Sequence, residues 1–155
     1  MSFPKHVPHF QARDPDFEQK VRESFSRQTL MQTIGATMTR VEPGCVEIRM
    51  PYDARLTQQN GFIHAGVITS IVDSACGYAA FSLTPPNMDV LAVEFKVHLM
   101  NPARGDEFVA NAHVLKAGKN LTFCEGKVTA LSQGLLPKLI AAMLGTIMSR
   151  HAEKS

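Results

Sequence analysis

Residues 56–88 carry a single formal charge, Asp73, with Arg55 just before them and Asp89 just after. The opening of the stretch, Leu56-Thr57-Gln58-Gln59-Asn60-Gly61, is polar and contains a glycine, as a loop does. Over residues 64–83 the apolar side chains of Ile68, Ile71, Val72, Ala75, Ala79 and Leu83 recur at helical spacing. The other positions are small or apolar too, which predicts a helix buried nearly all round. The rest of the chain must wrap this helix and also account for Asp73, because burying an unpaired charge is costly. Either neighbours cap the carboxylate for structural reasons, or it is held there for chemistry.

The flanking segments supply the wrapping. Residues 1–13 read as a flexible arm, with prolines and little apolar periodicity. Asp14-Pro15 has the form of a helix start, with a carboxylate at the N-cap and proline at the first helical position. Phe17, Val21 and Phe25 give that helix one apolar face, fading near Met31. Residues 36–40 read as a short strand. Val46, Ile48 and Met50 alternate with Glu47 and Arg49 in a second one. Thr84-Pro85-Pro86-Asn87 ends the central helix. Leu91, Val93, Phe95, Val97 and Leu99 then alternate with Glu94, Lys96 and His98, and Phe108, Ala110, Ala112 and Val114 form the next alternating set. Residues 121–130 make a further strand. Residues 135–148 are apolar on both faces apart from Pro137 and Lys138, which fits a strand buried on both sides, although periodicity alone also allows a helix. Short connections imply antiparallel neighbours. The expectation is one α+β domain over residues 14–150: a curved antiparallel sheet around one long central helix, with an additional N-terminal helix.

Composition excludes several functions. A net charge of +2 spread along 155 residues gives no basic patch for nucleic acid or a membrane surface. Asp73 and the polar loop exclude a transmembrane reading of the central stretch. Cys45, Cys76 and Cys124 are odd in number and far apart, so buried thiols in a cytoplasmic protein are expected rather than disulfides. His6 and His9 stand three apart, but no third ligand is at a useful spacing, so no metal is expected.

A helix start presents free N–H groups that stabilise negative charge, including an oxyanion developing on a carbonyl. Here that start is His64-Ala65-Gly66. Asp73 lies roughly 12 Å further along the axis at the usual rise. One carbonyl carbon does not readily reach both groups within one chain. A two-fold dimer would bring one chain's helix start beside the other's Asp73.

The run Asn60-Gly61-Phe62-Ile63-His64-Ala65-Gly66, with Asp73 nine residues after His64, resembles the hotdog-fold acyl-CoA thioesterases of the phenylacetic-acid-degradation (PaaI-like) type. Residues 93–106 look like the strand and turn that follow the helix in that family, and the likeness covers roughly residues 46–148. The resemblance implies that Asp73 is the catalytic carboxylate, as general base or as nucleophile. By the same resemblance the Ala65 N–H polarises the thioester carbonyl, Gln58 orients water or the thioester, and His64 shapes the loop. Asn60 and Gly66 are candidate substrate contacts, although Asn60 also suits a plain turn. Arg104, Lys116 and Lys119 are candidates for the CoA phosphates or, equally, solvated turn ends. No metal and no cofactor is implied, since CoA belongs to the substrate, and the oligomer expected is a homodimer or a dimer of dimers.

The chain departs from the family pattern in places. Ala65 stands where glycine is usual, Ala92 where many relatives carry a hydroxyl, and His98 and Asn101 replace an asparagine and a basic residue. Two other functions compete with hydrolysis: a hotdog enoyl-CoA hydratase or dehydratase, and a non-catalytic acyl-CoA-binding hotdog protein. The histidine and acid of the former normally sit in a different loop pattern, and the latter commonly lacks the acid that Asp73 supplies.

Overall fold

The computed structural model describes residues 8–152. The elements in chain order are α1 (Phe17–Ser26), α2 (Thr29–Thr33), β1 (Thr37–Glu42), β2 (Cys45–Pro51), a 3-10 turn (Ala54–Leu56), α3 (Ala65–Phe81), β3 (Met88–Leu99), β4 (Glu107–Ala117), β5 (Leu121–Leu131) and β6 (Lys138–His151). The six strands form one antiparallel sheet in the order β1-β2-β4-β5-β6-β3. It curves round α3, which is the hotdog arrangement expected.

The alternating residues explain the wrapping. Val46, Ile48 and Met50 of β2, with Phe108, Ala110, Ala112 and Val114 of β4, are fully buried against Ile68, Ile71, Val72, Ala75 and Cys76 of α3. β5 passes close against the helix at Gly126. A Cβ there would lie 2.5 Å from Val72 Cγ2 and 2.9 Å from Cys76 Sγ, both on fully buried side chains. Gly126→Ala is therefore expected to overpack the core and cost about 1–3 kcal/mol. Urea unfolding measures this, and a midpoint equal to the parent's would show that the helix can retreat freely.

Four expectations need correction. First, α1 begins at Phe17 rather than at Pro15. The Asp14 carboxylate accepts from the Asp16 N–H and pairs with Lys20 Nζ at 2.9 Å, so it organises the turn before the helix instead of capping it. Lys20 also donates to the Thr84 carbonyl at 3.0 Å, which ties α1 to the C-terminal end of α3. Secondly, the helix does not run unbroken to Met31. It stops at Ser26, and Gln28 takes an extended conformation (φ −80°, ψ 93°) before α2.

Thirdly, α3 is not buried all round. His64, Ala65 and Gly66 are exposed, and Thr69, Asp73, Ser74 and Gly77 form a partly covered stripe. The sheet of one chain covers only one side of the helix. Phe95 and Leu99, opposite the inward-facing Gly145 and Ala141, remain 44% and 53% exposed on the edge strand β3. Fourthly, β6 is not buried on both faces along its length. Ala141, Met143 and Ile147 face α3, while Leu144 and Met148 lie on the exposed outer face. Leu135 and Leu136 stand exposed in the preceding turn.

Part of the arm expected over residues 1–13, including His6, lies outside the described residues. Of the remainder, Phe10 packs over Gly44 and the edge of the core. The three cysteines are buried free thiols. Among the described residues no helix is long and apolar enough to cross a membrane.

Candidate active site

The loop before α3 is a tight hairpin. Thr57 bridges Ile63, the Gln58 N–H donates to the Phe62 carbonyl, and Gly61 makes the turn at φ +81°. Two further backbone bonds fix its exit, from His64 N–H to the Leu56 carbonyl and from Ile63 N–H to the Ala103 carbonyl. His64 is thereby held as the N-cap of α3. Its Nδ1 accepts from the Gly66 N–H at 2.9 Å, which requires the ring to carry its proton on Nε2.

This cap decides which amides of the first turn are free. Gly66 donates to His64 Nδ1, and Val67 and Ile68 donate to the His64 carbonyl. The Ala65 N–H has no partner among the described residues. It faces a cleft of about 360 Å³ that Gln58, Phe62, Ile68, Leu99 and Met100 also line. Gln58 uses its side-chain carbonyl to accept from the Asn60 N–H, leaving its NH2 group for the cleft. The Arg104 guanidinium stacks over the Phe62 ring, 5.1 Å from its centre, at the rim of this region. Asn101, beside it, donates to the Leu139 carbonyl.

Asp73 lines a second cleft of about 320 Å³, together with Gly77, Tyr78, Ser24, Gln28 and Ala92. Its carboxylate has no hydrogen bond or ion pair among the described residues. Burial pushes its pKa above the ordinary carboxylate range. Among the described residues, then, no structural cap is found for the one charge in the central stretch. The nearby thiols offer no competing nucleophile. Burial raises Cys76 well above its usual value, Cys124 to about 12 and, on β2, Cys45 to about 11.

Within one chain, the structure brings Gln58, His64, Ala65 and Gly66 together and sets Asp73 apart in the other cleft. Asn60 stands exposed at the tip of the hairpin, and the Gly66 amide is occupied by the cap. Lys116 is exposed near the end of β4. Lys119 borders a small recess with Arg13 and Thr84 beyond the C-terminal end of α3. Neither lysine lines either cleft. Ser24, Gln28 and Gly77 were not singled out from the sequence. Gly77 alone left a trace there, as a glycine inside a helix, where it costs roughly 1 kcal/mol against alanine. Among the described residues no group of three or more His, Cys, Asp or Glu could hold a metal ion.

Comparison with known proteins bears on the family and the fold. The family model for the thioesterase superfamily matches residues 60–136. A crystal structure of a thioesterase family protein from Silicibacter pomeroyi superposes with a TM-score of 0.85 at 48% identity, covering 88% of this chain and 99% of that one. Human acyl-coenzyme A thioesterase 13 is 32% identical over 106 residues, 68% of this chain and 73% of its own length. The PaaI protein of the E. coli phenylacetic acid degradation operon shares the fold, with a TM-score of 0.76 over 90% of this chain and 95% of that one, at 19% identity.

Proposed function

This chain belongs to the thioesterase superfamily as a PaaI-like hotdog thioesterase, and we propose that it hydrolyses an acyl- or aryl-CoA thioester at sites shared between two subunits. It is a thioester hydrolase. The observation that carries the finer reading is the Asp73 carboxylate, half-buried in an open cleft with no partner among the described residues. A group kept unpaired at a cost to the fold is poised as a base or a nucleophile.

The thioester carbonyl oxygen accepts from the Ala65 N–H of one subunit, where the helix start favours the developing negative charge. Asp73 of the other subunit takes a proton from water as the water oxygen bonds to the carbonyl carbon. The tetrahedral intermediate collapses, the carbon–sulfur bond breaks, and the CoA thiolate leaves and is protonated. The same carboxylate can instead attack first and form an anhydride that water opens. Gln58 steadies the thioester or the water, and His64 holds the loop so that the Ala65 amide stays free. Arg104, at the rim of the Ala65 cleft, and Lys116 and Lys119, which line neither cleft of one chain, are candidates for the CoA phosphates. CoA is part of the substrate, and no cofactor is required.

The edge strand β3 supports the shared site. It is twelve residues long, ends the sheet without a proline, and leaves Phe95 and Leu99 uncovered beside the open stripe of α3. A second copy paired there would bring the two kinds of cleft together. The outer-face cluster of Leu121, Phe123, Leu144 and Met148 supports association of dimers into tetramers. Three buried free thiols suit a cytoplasmic setting.

Release of free CoA from short, medium, long and aromatic acyl-CoA thioesters tests the activity. Turnover of at least one member is expected. Binding of CoA thioesters without turnover would make the chain a binding protein, and hydration of an enoyl-CoA with the thioester intact would make it a hydratase.

A further inference from the structure

We propose that Gln28, with Ser24 beside it, reads the far end of the acyl group, and that the group selected is short and carries an oxygen there. The inference rests on the reading of Asp73 as the reacting carboxylate. Asp73, Ser74, Gly77 and Tyr78 occupy successive positions on one side of α3, and α1 with the α1–α2 break closes the cleft they line. Gly77 lies one turn beyond Asp73. A Cβ there would meet nothing within 4 Å, so the glycine leaves room on the floor of the cleft.

The wall supplied by α1 is polar. Gln28 Oε1 accepts from the Ser74 hydroxyl at 3.0 Å, which fixes the plane of the carboxamide and leaves both protons of its NH2 group without a partner among the described residues. The Ser24 hydroxyl meets the Tyr78 hydroxyl at 3.3 Å. An alkyl chain pressed against this wall would strip water from these groups and give nothing in return. A hydroxyl or carbonyl oxygen at the chain end would accept from the Gln28 NH2. The cleft volume, about 320 Å³, is near the lower end for ligand sites, which limits the acyl group to a short one. Ser24 and Gln28 stand outside the residues that the family model matches, so this recognition is a feature of the N-terminal helices rather than of the shared core.

The test compares hexanoyl-CoA with 6-hydroxyhexanoyl-CoA. The parent protein is expected to prefer the hydroxylated substrate by at least about tenfold in kcat/KM, because sites built to hydrogen-bond a group reject analogues that lack it. Gln28→Leu, similar in volume, is expected to bring the ratio to about one or below, lowering kcat/KM for the hydroxylated substrate and raising it for the alkyl one. A purely structural role for Gln28 would depress both substrates alike, and that result overturns the proposal. Gly77→Ala gives a second readout that does not depend on Gln28. It is favoured by helix propensity and enters open space, so it should keep or raise Tm while lowering kcat/KM for hexanoyl-CoA more than for acetyl-CoA. An equal effect on the two chain lengths counts against the cleft as the acyl site. Hydrolysis of both six-carbon substrates without preference overturns this inference alone. Failure to hydrolyse any thioester removes the reading beneath it.

Discussion

Asp73→Asn is expected to abolish thioester turnover and to make the protein more stable. The loss should be about 10²–10⁴-fold in kcat for a carboxylate acting as general base, and greater if it is the nucleophile. The gain in stability follows from burial. Asp73 sits in mid-helix with no partner among the described residues, and burial holds its pKa above the ordinary carboxylate value. In the folded protein it therefore stays protonated to a higher pH than in the unfolded chain. Over that window the folded state binds more protons, so stability falls as pH rises from the ordinary carboxylate pKa through the raised one. Above the window the penalty is complete. Asparagine carries no charge and has a similar helix propensity. Its Tm advantage should be full above the raised pKa and should disappear on acidification below the ordinary carboxylate range. The acid limb of kcat/KM in the parent should lie above that range too, since the base works ionised. Thermal melts of parent and variant across pH, beside a rate profile of the parent, check both statements. Wild-type turnover in the variant would remove Asp73 from the chemistry.

How far the fold could be read from the sequence depended on whether each signal was local. The alternation in β2 and β4 and the helical spacing of α3 are properties of neighbouring residues, and the structure follows them closely; in β3 a bulge between Ala92 and Glu94 breaks the alternation and puts Leu91 on the opposite face from Phe95. Asp73 was conspicuous because a lone charge in an apolar helix contradicts its surroundings. The break at Gln28 had no local signature, since the residue is held by Ser74, forty-six positions away. The start of α1 was misplaced for a related reason: Asp14 is committed to Lys20, which is itself anchored to the end of α3. Apolar alternation also could not say whether a face meets its own chain or another. Phe95 and Leu99 repeat at the spacing of the core-facing residues of β4, yet one chain leaves them open. The clefts escaped the sequence because tertiary docking makes them, and only their α3 residues were recognisable beforehand.

Ala65→Pro separates the two halves of the site without disturbing the helix. Proline at the first helical position fits the required φ and removes only an N–H that has no partner among the described residues. The preceding residue, His64, already has φ −60° and ψ 138°, the extended conformation that a following proline demands. The variant should keep its Tm and lose about 10²–10³-fold in kcat, the scale for deleting one oxyanion donor. It also decides whether the site is shared. Asp73→Asn and Ala65→Pro protein, each nearly inactive, would be unfolded together and refolded at equal concentration. In a mixed dimer the intact Asp73 of one subunit meets the intact Ala65 amide of the other, while the second site carries both defects. Random pairing makes half the dimers mixed, with one working site in two, so about one quarter of parental activity should return. If both groups served the same chain's site, every site in the mixture would carry one defect and no activity would return. Recovery near one quarter would therefore place the reaction between subunits and give the open β3 edge its catalytic reason.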